Sequence, residues 1–536
     1  MSYLSTKRIY ESSDQSISLL ISNKNRFRRG LRNLLSQINI RDFCWMVWCI
    51  SALSDGNYEI ARKRGYKFNL DKMNRLDRLR HFPKWVFETL FNELLTTPSV
   101  LRWHANQRPV SKFPINHVDF AFKLHNAMHS LEDSEDEIWL RDHDVMNMLG
   151  KIGYRQFPWQ RRFDNLGDLV RSCYIYTFPE SDEIFLKSRG FSLEDLIKVG
   201  FALWTKSREF PFIGQDMDLT SIGISSTKRD TIVQYLSLDE SEIRDFAKKI
   251  RPLSISLTSD KPSVLRSRPI IYLNSEREYA VPFPDLLISR ISTGLFYDIV
   301  SDNGNIRRIV GDNFEEYCEF MLRKFLSEAE ISDEYSYNIG KKAINSPDLF
   351  INTNGDCSVI VECKSRKVKH ALRVADDPND FKQDLREIAK GVFQIWRYIL
   401  HVNQYPEQHP AISTDVVGLV VTLDSWLDLS IRGRELVLDM AKEMCRLNNP
   451  PISENFQIPV IIININDLEE TLARCTLSTF MGSLSKLARH EKYIGYNLTN
   501  VHKEEDGIKP PLKAWQFIDG LPIPTALAWL NLQDRD

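Results

Sequence analysis

No C-x-x-C pair occurs among the eight cysteines, and none stands at metal-ligand spacing from the 11 histidines. Neither a zinc site nor a dithiol motif is therefore written in the chain. Several of these cysteines lie in apolar runs, as reduced, buried thiols of a cytosolic protein do. There is no P-loop, so a nucleotide-driven step would need a partner's engine. Internal repeats and low-complexity tracts are also lacking. The longest apolar stretch, Phe43 to Leu53, is too short to span a bilayer, and the polar N-terminus carries no signal sequence. A cytoplasmic location with no membrane partner is expected. Net charge is scarce too: 70 Lys and Arg against 72 Asp and Glu leave −2, which argues against a protein coated in nucleic acid.

At 536 residues and 62.5 kDa the chain exceeds what one core usually holds. Its charge is uneven. Residues 1–120 carry about 20 Lys/Arg against about 10 Asp/Glu, which fits local phosphate contact, an acidic partner or a solvated face. Tyr154 to Phe163 interleaves aromatics with arginines, a pattern that serves a single-stranded nucleic acid or a packed cation–π contact equally well. Little strand alternation precedes residue 210, so this half is expected to be mainly α-helical. Pro252 to Arg268, rich in Ser, Pro and Thr, is expected as a linker or an exposed turn region. The expected division is residues 1–265, a helical recognition region; 266–475, an α/β domain; and 476–536, a helical extension.

The most informative stretch is Ser346 to Lys364. Leu349 to Thr353 and Ser358 to Lys364 read as strands, and Asn354-Gly355 between them is a strong hairpin signal because both tolerate positive φ. A loop that short sets Asp348 opposite Glu362 or one step away. Side chains alternate along a strand, so Glu362 and Lys364 share one face with Ile360. Two carboxylates and an ammonium thus converge where a sheet ends. The chemistry suited to them is metal-assisted phosphodiester cleavage, since Mg²⁺ prefers oxygen ligands and needs only one or two carboxylates. A surface hairpin with solvated charges is the plain alternative.

Pro347-Asp348, followed 14 residues later by Glu362-Cys363-Lys364, resembles the PD-(D/E)xK nuclease superfamily. Upstream, Gly311 to Leu326 has an amphipathic helical pattern whose Gly-x-x-Phe-Glu opening is similar to Holliday-junction resolvases and Mrr-type endonucleases. Downstream, Lys390, Gln394 and Tyr398 stand at i, i+4 and i+8, and Gln394-x-x-x-Tyr398 resembles the RecB-type signature. Val-Glu-Cys-Lys in place of Asp-Tyr-Lys departs from that pattern. The resemblance implies an α/β restriction-endonuclease-like core, a mixed central sheet flanked by helices, behind a mainly helical N-terminal half. It implies Mg²⁺ or Mn²⁺ on Asp348 and Glu362, aided by the main-chain carbonyl of Cys363. Lys364 would activate or orient water, Glu315 would approach from the first helix, and Lys390, Gln394 and Tyr398 would place the strand. Arg366 and Lys367, just past the motif, are suited to flanking phosphates. The expectation is a Mg²⁺-dependent DNA nuclease, with RNA open as a substrate, of a bacterial anti-phage or restriction type, with a protein partner or homo-oligomer. The rival is a non-catalytic scaffold that binds nucleic acid or protein.

Later elements fit an α/β order independently of that motif. A long helix is expected over 380–402, then a strand over Asp415–Leu423, a helix over Glu435–Arg446 and a strand over Gln457–Ile465. The Ile/Val-rich strands read as buried on both faces.

Overall fold

The computed structural model describes residues 3–69, 83–101, 110–143, 145–161, 166–251, 255–300, 304–367, 374, 382–424, 431–505, 507–510 and 527. The chain forms two compact units. The first comprises residues 1–144, 155–169 and 179–298; the second comprises 145–154, 170–178 and 299–536. Among the described residues, no helix is long and apolar enough to cross a membrane.

The first unit is mostly helical, as its sequence pattern predicts, and carries one four-stranded sheet. Its strands are Phe212–Gly214, Glu278–Ala280, Ile270–Leu273 and Ser237–Asp239, in that spatial order. Because Ile270–Leu273 and Glu278–Ala280 pair with strands from before residue 240, the first unit extends past the expected boundary at 265. From residue 255 on, where it is described, the stretch expected as a linker or exposed turn region is clamped rather than exposed. Leu257, Val264 and Leu265 are buried, Thr258 N donates to Glu135 at 2.7 Å, and the Arg266 guanidinium binds the buried Glu88 at 2.7 and 2.9 Å. Its polar residues pair with buried acids instead of water, which composition alone does not reveal.

The Tyr154–Phe163 run does not form an open platform. Trp159 is 6% exposed, with its indole N–H on Glu88 at 2.9 Å. Arg155 donates to Glu132 at 2.6 Å. Residues 162 and 163 of that run lie outside the described residues. Part of the N-terminal basic excess is likewise spent internally: Arg28 pairs with Glu135, and Arg41 with Glu278.

The second unit is α/β. Helix α1 (Gly304–Phe325) leads into β1 (Glu330–Asp333), the hairpin β2 (Ser336–Ile339) and β3 (Lys342–Asn345), then β4 (Leu349–Thr353) and β5 (Asp356–Lys364). Helix α2 (Lys382–Gln404), β6 (Ile412–Thr422), α3 (Ile431–Leu447), β7 (Val460–Asn464) and α4 (Ile465–Leu472) follow. Five strands form one mixed sheet in the order β7-β6-β5-β4-β1. β5, β6 and β7 run parallel, joined through α2 and α3, whereas β4 and β1 are antiparallel additions.

The apolar stripe of α2, Leu385, Ile388, Ala389, Val392 and Ile395, is buried with Phe350, Ile360 and Val420 on one side of the sheet. Helix α1 packs on β5 and β1 through a stripe that includes Phe314, Cys318, Met321 and Leu322, all fully buried. The helices Ile465–Leu472 and Leu477–Arg489 also pack on β6 and β7, and β6 carries seven consecutive buried residues, Val416 to Thr422. All eight cysteines are free thiols and seven are buried, Cys363 being half-buried. Asp376 to Phe381, Lys369, His370, Trp515 and Trp529 lie outside the described residues.

Candidate active site at the end of the mixed sheet

The site begins with a turn. Asn354 and Gly355 have φ of 55° and 90°, the left-handed pair a type I′ turn requires. From this turn the ladder pairs Leu349 with Val361 and Phe350 with Ile360, after a register shift near Asn352 that a bulge absorbs. The next step brings Asp348 to Glu362. Asp348 Oδ2 accepts a hydrogen bond from the Cys363 main-chain N–H at 2.6 Å, which fixes the carboxylate at the mouth of β4.

Glu362 and Lys364 point to the same side, toward α2, as strand alternation requires. Lys364 Nζ donates to Glu362 Oε1 at 2.5 Å and to Gln394 Oε1 at 3.2 Å. The Glu362 side chain is 1% exposed, and its Oε2 is buried with no hydrogen-bond partner. An unsatisfied buried carboxylate oxygen is costly, so something other than stability accounts for it.

Electrostatics tie Glu315 to the same place. Burial, then the Asp348 charge, raises the Glu362 carboxyl to about 8, with the Lys364 ammonium opposing. Burial and Asp348 likewise raise Glu315, on α1, to about 8, with Glu334 and Asp312 adding to it. Asp348 is raised by burial, against the pull of Lys364 and the Cys363 N–H. Burial alone pulls the Lys364 ammonium down, but Glu362 and Asp348 outweigh it and the net direction is up. The lysine thus stays charged while three carboxyls compete for it. Carboxyls pushed toward protonation by burial and mutual repulsion form the donor set that a hard divalent cation relieves. Among the described residues no three His, Cys, Asp or Glu side chains are gathered at metal-holding range. The fit to a cation therefore rests on the oxygen chemistry and the unpartnered Glu362 Oε2.

Gly391 was not legible as a site residue. A Cβ placed there would stand 3.0 Å from Lys364 Cε and 3.2 Å from Glu362 Cγ, so only glycine lets α2 close on the pair without displacing it. A lone glycine inside a helical pattern was the available signal. Cys318, on α1, was missed as well. The neighbouring Cys318, followed by burial, raises the Cys363 thiol well above its usual value.

The expected polar column on α2 is only partly present. Gln394 reaches Lys364, but Lys390 is half in solvent and pairs with Glu387 at 2.7 Å. Tyr398 is 1% exposed and its hydroxyl meets that of Tyr335 at 2.8 Å, inside an aromatic cluster with Phe350, Tyr337 and His409. It offers no surface to a strand. Helical geometry explains this: eight residues turn about 80° past two full turns, and Tyr398 sits three residues after the buried Ile395. Arg366 is exposed beyond β5, and Lys367 Nζ lies 5.6 Å from the Tyr176 ring centroid. No protein-family model, curated protein or solved structure matches this chain.

Proposed function

We propose that the second unit is a metal-dependent nuclease that hydrolyses phosphodiester bonds of DNA, with a restriction-endonuclease-like core. The observation that carries this reading is Glu362: fully buried at the end of a sheet, one oxygen on Lys364, the other without a partner, beside Asp348. Asp348 and Glu362, with the Cys363 carbonyl, would hold Mg²⁺ or Mn²⁺, and Glu315 would assist through a second metal or a water. Bound there, the cation would lower the pKa of a water and offset charge building on the phosphate.

The remaining work falls to the chain. Lys364, held between Glu362 and Gln394, presents an ammonium that orients the attacking water or stabilises the anionic transition state. The Cys363 N–H fixes Asp348 so that its carboxylate need not reorganise. Arg366 and Lys367 follow directly and would meet flanking phosphates. A role in bacterial anti-phage defence or restriction is part of the proposal, with the helical first unit recognising a trigger or partner subunit.

A second reading is a scaffold that binds without cutting. The closed Lys364–Glu362 ion pair and the absence of a gathered metal cluster among the described residues favour it. Plasmid, linear duplex, single-stranded DNA and RNA incubated with Mg²⁺ or Mn²⁺ separate the two. The nuclease reading expects cleavage of at least one DNA form, lost in Asp348→Ala and Lys364→Ala while each variant still folds. Equal cleavage by parent and Asp348→Ala ends it.

A further inference from the structure

Three guanidiniums crowd one tyrosine in the first unit. Arg189 closes the helix Pro179–Arg189, Arg290 closes the helix Pro284–Arg290, and Arg268 lies just before the strand Ile270–Leu273. Their central carbons stand 4.8, 5.3 and 5.1 Å from the Tyr235 ring centroid. One carboxylate, that of Asp298, pairs with Arg290 and Arg189. Arg290 takes it in bidentate fashion at 2.6 and 3.0 Å, and also donates to the Tyr235 hydroxyl at 2.6 Å and the Ser267 carbonyl at 3.1 Å. The Tyr235 hydroxyl in turn donates to Asp298 at 2.8 Å.

Arg189 reaches the same carboxylate only at 3.6 Å, and its Nε is buried without a hydrogen-bond partner. Among the described residues, Arg268 has a single hydrogen bond, to the Ser267 carbonyl at 3.3 Å. Among the described residues no second carboxylate pairs with any of the three, so the cluster carries a formal excess of two positive charges. Two of the arginines sit at helix C-termini, where the backbone dipole offsets part of that charge. Arg268 has no such compensation, and burial followed by Arg290 lowers its pKa. Arg290 is 5% exposed and fully engaged, whereas Arg189 and Arg268 are half-buried and reach solvent.

We propose that this cluster is a phosphate-binding site, in which Arg189 and Arg268 take the oxyanion while Arg290, Asp298 and Tyr235 form its rigid floor. The planar fork of a guanidinium matches phosphate oxygens, and two under-used forks beside a charge excess are the complement of a phosphate dianion or diester. The Tyr235 ring is already flanked by the guanidiniums and by Phe185 and Phe191 at 6.5 and 5.5 Å, so it is not offered to a base. The site reads the phosphate alone. A free nucleotide or inorganic phosphate and a nucleic-acid backbone share this chemistry, and the inference stands apart from the carboxylate site.

The test uses the full chain in EDTA, titrated with inorganic phosphate, a nucleoside triphosphate or a 5′-phosphorylated single-stranded oligonucleotide at matched ionic strength. Binding is read by calorimetry and by the thermal midpoint. At least one ligand should saturate and raise the midpoint by several degrees, and the tightest names the source. Arg268→Gln and Arg189→Gln should each weaken binding at least tenfold, and Arg268→Gln should leave the unliganded midpoint unchanged or higher because a repelling cation is gone. No saturation by any ligand, or equal stabilisation of the parent and the double variant, as a general salt effect would give, overturns the proposal. Undiminished affinity with a lowered midpoint in Arg268→Gln overturns it too, making that arginine a packing residue.

Discussion

Replacing Gly391 by alanine separates a glycine that serves the site from one that serves the fold. In a helix interior this change ordinarily stabilises by about 0.5–1 kcal/mol, because alanine has less backbone freedom to lose. At Gly391 the new methyl meets Lys364 Cε at 3.0 Å and Glu362 Cγ at 3.2 Å, a few tenths of an ångström inside ordinary contact. The lysine stem is flexible and can give way, so stability should stay within about 1 kcal/mol of the parent. Giving way moves the ammonium off its 2.5 Å and 3.2 Å contacts with Glu362 and Gln394. Misplacing a positioned group by about 1 Å costs on the order of 100-fold, so a shift of tenths should lower kcat about tenfold. Gly418 provides the contrast. A Cβ there would lie 2.8 Å from Val460 Cγ2, half-buried against the core, and 3.1 Å from the fully buried Ile395 Cγ2. Gly418→Ala should therefore cost about 1–3 kcal/mol. Urea unfolding and single-turnover cleavage on both variants form the assay. A Gly391→Ala protein that cuts at the parental rate, or unfolds as readily as Gly418→Ala, refutes the reasoning.

Tyr398→Phe removes a hydroxyl bonded to Tyr335 and should cost about 1 kcal/mol in urea unfolding without weakening DNA binding. A loss of affinity with unchanged stability would restore its strand-placing role. Lys84 is 6% exposed between Asp55 and Asp285, at 2.8 and 3.1 Å. Lys84→Met removes the buried cation that both carboxylates share and should cost about 3–5 kcal/mol, readable by chemical denaturation. Burial, with Arg397 adding to it, lowers His401 from 6.5 to about 4. The unfolded chain therefore takes up this proton first. The associated stability, at most about 3 kcal/mol, is complete above pH 6.5 and drains away as pH falls toward 4. His401→Gln should flatten the unfolding profile across that window, and an unchanged profile would mean that the imidazole is solvated.

The hairpin was legible because its determinants are local. Asn354-Gly355 fixes the turn, the turn fixes the register, and strand alternation then places Glu362 and Lys364 together. Helices α1 and α2 and strands β6 and β7 followed from apolar periodicity to within a few residues. Partners brought from a distance were not legible. Whether Tyr398 faces a ligand or Tyr335 depends on where the β2–β3 hairpin packs, and Tyr335 lies 63 residues away in the chain. The segment after Pro252 looked solvated because its composition is polar, yet buried Glu88 and Glu135, more than 100 residues earlier, claim those polar groups. Gly391 carried no signal beyond being a glycine, since its meaning lies in two side chains on another element.

The most direct test of the account is calorimetric titration of Mn²⁺ into the parent and into Glu362→Gln at pH 7, with unfolding followed in parallel. Glutamine keeps an acceptor for Lys364 but removes the charge and the unpartnered carboxylate oxygen. One saturable site in the parent, weakened at least tenfold in the variant while the fold is retained, is the predicted result. Identical isotherms, or no binding to either protein, would make the buried glutamate a structural partner of Lys364 and contradict the account.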